Sequence, residues 1–170
     1  MVTVQSVERV QNPALWDSFL AKKRSMLQRS SADDKYEMAW LYHGTDEATV
    51  SKIVEQGFDR NFSGKNATVY GKGAYFAVKS EYSARDSYSR PNAAGEQFMF
   101  LARVMVGEYC KGKVDTPALD VYKGNTLYDT TVDNVQDPKI FVTYRDGQAY
   151  PQYLIKYTKS SQGLDCTAKP

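Results

Sequence analysis

The spacing of apolar side chains along the 170 residues predicts short strands interspersed with a few helices. Apolar and polar residues alternate over residues 2–7, which predicts an opening strand because every second side chain of a strand faces the same side. Asn12 is suited to cap a helix, and apolar residues at helical spacing extend that helix over about 13–28. A second helix is predicted between an N-cap at Asp46 and a C-terminal stop at Gly57.

Further strand patterns follow in the middle and at the end of the chain. They are predicted over 38–42, 74–78, 97–108, 140–145 and 153–157. A short helix is predicted from an N-cap at Ser80 to about Tyr88, and residues 111–137 are predicted to be irregular. Asp146-Gly147 favours a hairpin between the last two strands. Because the strands and helices lack a strand–helix–strand rhythm, the predicted fold class is α+β.

Length and composition are those of one globular domain. We expect a single domain over 1–170, with a core over about 4–158 and a frayed tail over 159–170. The net charge of +2 with mixed signs disfavours a protein that binds nucleic acid through phosphate electrostatics, and also a membrane-surface module. Cys110 and Cys166 lie far apart in the sequence and are predicted to be free thiols in a reducing compartment.

The sequence lacks the signals of secretion and membrane insertion. Residues 1–10 contain neither the basic nor the apolar region of a signal peptide. No apolar run approaches the ~20 residues of a membrane span. The expected localisation is therefore cytoplasmic, nuclear or both, without a membrane partner.

Several common enzyme motifs are excluded by residue type and spacing. The segment 71–73 (GKG) is not a phosphate-binding P-loop, since GxxxxGK[ST] would need glycine at Asn66 and a hydroxyl residue at Gly73. It is not a Rossmann fingerprint either, because Phe76 stands where GxGxxG needs glycine. His43 is the only histidine in the sequence, and with two remote cysteines it does not form a zinc site, so we expect no metal.

Three segments carry a more specific pattern. They are 41–45 (LYHGT), 70–77 (YGKGAYFA) and 138–142 (PKIFV). With these segments in this order, the chain resembles the catalytic domain of the PARP family, the diphtheria-toxin-like ADP-ribosyltransferases, over about 4–157. The resemblance implies an ADP-ribosyltransferase fold, in which two packed, mostly antiparallel β-sheets form an NAD cleft with flanking helices.

The resemblance also implies a catalytic triad of His43, Tyr75 and Ile140. Members that build polymers carry glutamate at the third position, whereas members that transfer single units typically carry isoleucine or leucine. The chain is thus similar to the H-Y-I branch, and the expected activity is transfer of one ADP-ribose from NAD to a protein, with release of nicotinamide. Because Ile140 cannot accept a hydrogen bond from a ribose hydroxyl, we expect no chain elongation, and hypothesise that an acceptor carboxylate supplies the missing negative charge.

The NAD-binding residues implied by the resemblance have complementary chemistry. They are His43, Gly44, Thr45, Tyr75, Ser83 and Tyr88. The main chain of Gly44 can pair with the nicotinamide carboxamide, and the Ser83 hydroxyl would add a second donor to it. Tyr75 and Tyr88 would sandwich the cationic ring, and His43 would bind the adenine-side ribose. Residues 58–69 would cover the donor as a loop in which Arg60 and Asn61 are candidate adenosine contacts.

The expected partners follow from this activity. They are NAD as co-substrate, acceptor proteins including the chain itself, nicotinamide-mimic inhibitors, and nucleic acid only as an acceptor end. The alternative function is a catalytically weak or inactive module that binds NAD or ADP-ribose. The presence of His43, Gly44, Tyr75 and Ser83 favours the enzyme, and the apolar residue at position 140 disfavours a polymerase.

Overall fold

The computed structural model describes residues 1–29, 38–59, 68–116 and 119–160, and these residues form an α+β domain. The helices are α1 (Pro13–Arg29), α2 (Glu47–Gln56) and the single turn α3 (Ser80–Ser83). The strands are β1 (Val2–Arg9), β2 (Met38–Thr45), β3 (Ala74–Ala77), β4 (Glu96–Met105), β5 (Tyr109–Lys111), β6 (Val121–Lys123), β7 (Thr126–Leu127), β8 (Thr130–Val132), β9 (Ile140–Thr143) and β10 (Ala149–Lys159). The predicted fold class is confirmed.

The two longer helices begin where their capping residues predict, and α2 also ends at its predicted stop. The Leu15 N–H donates to Asn12 Oδ1 (3.1 Å) at the start of α1. The Thr49 N–H donates to Asp46 Oδ1 (2.8 Å) at the start of α2. Gly57 adopts φ 78° and terminates α2, a conformation that favours glycine. These boundaries depend on residues close in sequence, which is why the pattern located them.

The main sheet has eight strands in the order β1-β10-β4-β2-β3-β9-β8-β5, and β6 and β7 form a separate ribbon. Neighbouring strands are antiparallel except β5 and β8. β2 pairs with β4 along its whole length but with β3 only at Tyr42 and Ala77. The sheet is therefore divided into two halves joined at one point, which is how this chain forms the two-sheet arrangement expected from the resemblance.

A buried apolar core lies between the two halves. It contains Leu41, Ala74, Phe76, Ala102, Val104, Val106, Val132 and Phe141. Burying a leucine, valine or phenylalanine side chain stabilises a fold by about 1.5–3 kcal/mol, so this cluster holds the halves together. A second cluster, in which Ile53 of α2 packs on Phe100 of β4, fixes α2 against the same sheet.

The predicted helix from Ser80 to Tyr88 is wrong in its extent. Ser80 is the first helical residue instead of the N-cap, and the helix ends at Ser83. Turns follow, because buried Ser89 is held by β4, its hydroxyl donating to the Phe98 C=O (2.8 Å). That long-range bond draws the chain out of the helical path before Tyr88.

The predicted hairpin at Asp146-Gly147 is also wrong. A turn is present there, but β9 pairs with β3 and β8 while β10 pairs with β1 and β4. The reason lies in Gln148, which is fully buried and whose side-chain amide donates to the Met105 C=O (3.0 Å). The chain leaving β9 is thereby directed to β4.

The region 111–137 contains a buried strand that the sequence pattern missed. β8 is covered on both faces, although two of its three residues are threonines. Their hydroxyls are satisfied, since Thr130 donates to the Val106 C=O (2.6 Å) and Thr131 to the Tyr70 C=O (2.7 Å). Of the predicted tail, Lys159 still belongs to β10, and residues 161–170 lie outside the described residues.

Candidate functional site

A cleft of about 140 Å³ opens between the two halves of the sheet. It is lined by the end of β2, by α2 and the residues after it, by β3, by the α3 region and by the first residue of β9. The structure brings together all seven residues named from the sequence: His43, Gly44, Thr45, Tyr75, Ser83, Tyr88 and Ile140. Their convergence is observed, whereas the role of each remains a prediction.

His43 is held in the cleft as a neutral imidazole. Its Nδ1 lies 2.7 Å from the Tyr75 C=O, and a carbonyl oxygen can only accept, so Nδ1 carries the proton. Burial among Phe58 and Phe76, whose ring centroids lie 5.0 and 5.5 Å away, accompanies a lowered pKa for His43. Desolvation is the main cause of that lowered pKa, and the bond to Tyr75 partly opposes it. The remaining nitrogen, Nε2, is therefore an acceptor.

The strand pairing directs the main chain of Gly44 towards the cleft. The Val78 N–H donates to the Lys139 C=O (2.9 Å), so the main-chain polar groups of Val78 point towards β9. By alternation, Ala77 directs its N–H and C=O to β2, where it pairs with Tyr42. Gly44 lies two residues beyond Tyr42 and has the same orientation. Its N–H and C=O consequently point to the side of β2 that faces β3 and the cleft.

Close packing around Gly44 excludes any side chain there. A Cβ would lie 2.0 Å from the main-chain oxygen of Ser83 and 3.2 Å from the Cβ of Tyr88. The Ser83 hydroxyl, which is buried, donates to the Tyr42 C=O (2.9 Å). It would have to rotate away from that carbonyl to donate to a ligand, and its predicted contact with a carboxamide stays a prediction.

Tyr75 is anchored at its hydroxyl. Its Oη accepts from the Tyr70 N–H (2.9 Å) and donates to the Gly71 C=O (2.8 Å). Burial raises the pKa of Tyr75 to about 12, so the phenol stays neutral at physiological pH. With both functions of the hydroxyl engaged, the ring is what Tyr75 offers to the cleft.

Tyr88 stacks on Tyr82, a residue that the sequence reasoning missed. The two ring centroids lie 5.1 Å apart at an interplanar angle of 23°, and their hydroxyls are 2.9 Å apart. The Arg85 guanidinium lies over the Tyr82 ring, 4.4 Å from its centroid, in a cation–π contact. Burial is the main cause of a raised pKa for Tyr82, and its bond to Tyr88 adds to the shift. The six-residue separation is not a helical spacing, so no local pattern indicated this pair.

Ile140 presents an apolar surface at the start of β9. It is 4% exposed and packs in a cluster with Ala77 and Val142. Its N–H donates to Asp133 Oδ1 (3.0 Å), which fixes the start of the strand. An isoleucine in this place offers the cleft no hydrogen-bond acceptor from its side chain.

The other side of the cleft is formed by α2 and its ends. The lining residues there are Asp46, Thr49, Lys52, Ile53, Gly57, Phe58 and Asp59. Of these, Phe58 and Asp59 belong to the loop 58–69 that was expected to cover the donor. The candidate contacts Arg60 and Asn61 lie outside the described residues, as does most of the loop predicted to cover the donor.

The described residues contain neither a cluster of metal ligands nor a membrane-spanning helix. Within residues 1–29, 38–59, 68–116 and 119–160, no three or more histidine, cysteine, aspartate or glutamate side chains are grouped to hold a metal ion. None of the described helices is long and apolar enough to cross a membrane. Cys110 is a free thiol, as predicted, and burial raises its pKa, whereas Cys166 lies outside the described residues.

The divided sheet and its cleft define a PARP-type domain. The fold matches the crystal structure of the PARP domain of Arabidopsis RADICAL-INDUCED CELL DEATH1 with a TM-score of 0.74, over 95% of this chain and 90% of that one, at 19% sequence identity. Residues 1–119 match the family described as the poly(ADP-ribose) polymerase catalytic domain. The chain belongs to this family.

Curated relatives cover nearly the whole chain. It is 43% identical to human protein mono-ADP-ribosyltransferase PARP14 over 92% of its length, and 41% identical to human protein mono-ADP-ribosyltransferase PARP12 over 94%. Mouse protein mono-ADP-ribosyltransferase PARP10 is 39% identical over 91%. The chain spans only 9%, 22% and 16% of these three proteins, respectively, so it is similar to one part of each.

Proposed function

We propose that this chain transfers a single ADP-ribose unit from NAD to an acceptor protein and releases nicotinamide. The observation that carries the proposal is the convergence of His43, the Gly44 main chain, Tyr75 and Ile140 in one cleft. Membership of the PARP catalytic family supports NAD as the substrate. The names of the relatives, which are mono-ADP-ribosyltransferases, support the transfer of single units.

The nicotinamide end of NAD fits the polar and aromatic walls of the cleft. The carboxamide has one donor and one acceptor group. Its NH2 can donate to the Gly44 C=O, and its C=O can accept from the Gly44 N–H. The pyridinium ring carries a positive charge, and contact with the faces of Tyr75 and Tyr88 would contribute about 0.5–2 kcal/mol each. The unprotonated Nε2 of His43 is suited to accept a hydrogen bond from a ribose hydroxyl, so His43 positions the substrate without transferring a proton.

The reaction exchanges one bond at the ribose C1. The C1–N bond breaks and its electron pair stays with nicotinamide, which leaves as a neutral molecule. An oxygen of the acceptor forms the new bond to C1, through a state that resembles the oxocarbenium ion of glycoside cleavage. Because the leaving group is good, holding donor and acceptor in line provides most of the acceleration. An acceptor carboxylate would bring the negative charge that Ile140 lacks.

The apolar side chain at position 140 is the reason to expect single units. Extending a chain requires that a hydroxyl of bound ADP-ribose be oriented and activated by an acceptor group. Ile140 is buried and apolar and cannot do this. The product should therefore carry one ADP-ribose per modified side chain.

The experiment is incubation of the purified chain with labelled NAD. Nicotinamide release is followed over time, and mass spectrometry of the protein reports the mass added and the residue modified. We expect additions of one ADP-ribose each. The Tyr75→Ala variant should lose about 2- to 30-fold in rate, the equivalent of the ~0.5–2 kcal/mol that contact with its ring contributes. Tyr122→Ala, which removes an exposed tyrosine of β6 outside the cleft, should keep the rate.

The outcomes separate the alternatives. NAD binding without nicotinamide release would favour the non-catalytic binding module. Long polymers would contradict the assignment to single-unit transfer. The absence of both NAD binding and labelling would contradict the proposed function as a whole.

The remaining parts of the proposal concern the partners and setting of the reaction. Acceptors are proteins, the chain itself included, and nucleic acid would serve only through its ends. Molecules that mimic nicotinamide should compete with NAD at Gly44. The reaction is proposed to take place in the cytoplasm or the nucleus without a metal ion.

A further inference from the structure

The main chain of Tyr70 is held from two sides by hydroxyl groups. Its C=O accepts from Thr131 Oγ1 (2.7 Å) and from Tyr144 Oη (3.3 Å), and these hydroxyls lie 3.1 Å apart. Its N–H donates to Tyr75 Oη (2.9 Å), which in turn donates to the Gly71 C=O (2.8 Å). A continuous series of hydrogen bonds therefore connects β8 to the phenol that lines the cleft. We call Tyr70, Tyr75, Thr131 and Tyr144 the Tyr70 clamp.

Two glycines let the parts of the Tyr70 clamp approach so closely. A Cβ at Gly71 would lie 1.7 Å from Tyr144 Oη, and a Cβ at Gly112 would lie 2.3 Å from the Tyr70 main-chain oxygen. Thr131 and Tyr144 are 3% and 6% exposed. Burial raises the pKa of Tyr144, so its hydroxyl remains a donor at physiological pH. The Tyr70 clamp is thus closely packed, and a variant that lacks the Thr131 or Tyr144 hydroxyl loses a hydrogen bond in buried surroundings.

We infer that Thr131 and Tyr144 are positioning residues for NAD, and that they act through Tyr70 on the ring of Tyr75. This inference rests on the proposed function. Among the described residues that line the cleft, neither Thr131 nor Tyr144 occurs, so neither touches the donor directly. Their effect is mechanical: they hold the main chain to which the Tyr75 hydroxyl is bonded.

The position of the Tyr75 ring depends on both of its ends. At the main-chain end, Tyr75 pairs with Val142 in the ladder between β3 and β9. At the hydroxyl end, Tyr75 is held within the described residues by its hydrogen bonds to Tyr70 and Gly71. If Tyr70 shifts, the hydroxyl end shifts with it and the ring tilts. A tilted Tyr75 ring stacks less well on a flat pyridinium ring. The tilt would therefore weaken NAD binding more than it slows the bond cleavage.

The primary test compares two neighbouring threonines of β8. Thr131→Val removes the hydroxyl from the Tyr70 clamp and retains the shape of the side chain. Thr130→Val is the matched control, because Thr130 is equally buried but its hydroxyl donates to the Val106 C=O (2.6 Å). For each variant we would measure the melting temperature, kcat and KM for NAD, and the hydrogen exchange of the Tyr70 amide in the free protein.

The expected result separates positioning from stability. Losing one hydrogen bond typically changes an equilibrium about two- to tenfold, so Thr131→Val should raise the KM for NAD by that factor and change kcat less than about twofold. It should also accelerate exchange at the Tyr70 amide. Thr131→Ser retains a hydroxyl and should restore the KM. Thr130→Val should lower the melting temperature without changing either the KM or exchange at Tyr70.

A double-mutant cycle with Tyr75→Phe tests the route of the effect. Phenylalanine keeps the ring but breaks the bond to Tyr70, so Thr131→Val should add no further rise in KM in that background. Additive effects would overturn the inference. If Thr131→Val does not fold, Tyr144→Phe serves instead, with Tyr157→Phe as its control, since the buried Tyr157 hydroxyl donates to Ser89 Oγ (2.8 Å).

Failure of this inference is distinguishable from failure of the proposed function. Normal NAD turnover by the unmodified chain, together with an unchanged KM in Thr131→Val, would overturn the inference alone. The absence of NAD binding by the unmodified chain would overturn both. Exchange at the Tyr70 amide is read without NAD, and equal exchange in Thr131→Val and Thr130→Val would also overturn the inference.

Discussion

Replacing Gly44 with alanine should force the walls of the cleft apart. The added Cβ would lie 2.0 Å from the Ser83 main-chain oxygen, and ordinary contact begins at 3.4 Å, so the oxygen must retreat by about 1.4 Å. A main-chain oxygen cannot rotate aside as a flexible side chain can. The Tyr88 Cβ, 3.2 Å from the added Cβ, also limits how far the alanine can shift. Since a misplacement of about 1 Å can reduce a rate about 100-fold, kcat/KM for NAD should fall by at least about that factor.

The assay is nicotinamide release by Gly44→Ala over a range of NAD concentrations, with the melting temperature measured in parallel. Gly124→Ala is the control, because a Cβ there meets nothing within 4 Å and the residue lies outside the cleft. Its φ of 57° strains an alanine, so this variant also shows what a modest loss of stability does to the rate. A folded Gly44→Ala protein whose kcat/KM stayed within about threefold of the parent would refute the steric reasoning.

Three further predictions concern individual side chains. Ser83→Ala should weaken binding of a benzamide-type nicotinamide mimic about tenfold in calorimetry, as expected for a lost hydrogen bond in a buried site; unchanged affinity would remove Ser83 from the carboxamide site. Burial lowers the pKa of His43 below its ordinary 6.5, so the unfolded chain binds a proton more readily, and stability should fall as pH drops below about 6.5. That part of the pH dependence of the melting temperature should disappear in His43→Gln, and identical slopes would contradict it. The Asp129 side chain is 2% exposed and pairs with Arg29 (2.8 Å) and Arg145 (2.7 Å). Asp129→Asn should therefore lower the free energy of unfolding by about 3 kcal/mol in urea titrations. A loss below about 1 kcal/mol would show that water solvates the two arginines adequately without the carboxylate.

Much of the site was accessible from the sequence because its parts are carried by short segments. The histidine and glycine of 41–45 and the tyrosine of 70–77 were named from their motifs, and the structure brings them into one cleft. Tyr82 was not found, although it stacks on Tyr88, because the turns after α3 bring the two rings together at a non-helical spacing. Thr131 was not found either, since nothing local in a Thr-Thr-Val segment indicates that it reaches Tyr70, 61 residues away.

The sequence by itself determined the fold class, both caps of α2 and the identity of the motifs that line the cleft. Each of these depends on residue type and on spacings of a few residues, as in the bond from Thr49 to Asp46. Only the tertiary structure decided which strands are neighbours and which buried hydroxyls support the cleft. The turn at Asp146-Gly147 permits β9 and β10 to pair, yet each pairs with other strands. Strand pairing depends on which edges and apolar faces the whole chain makes available, and that competition is not recorded in any one segment.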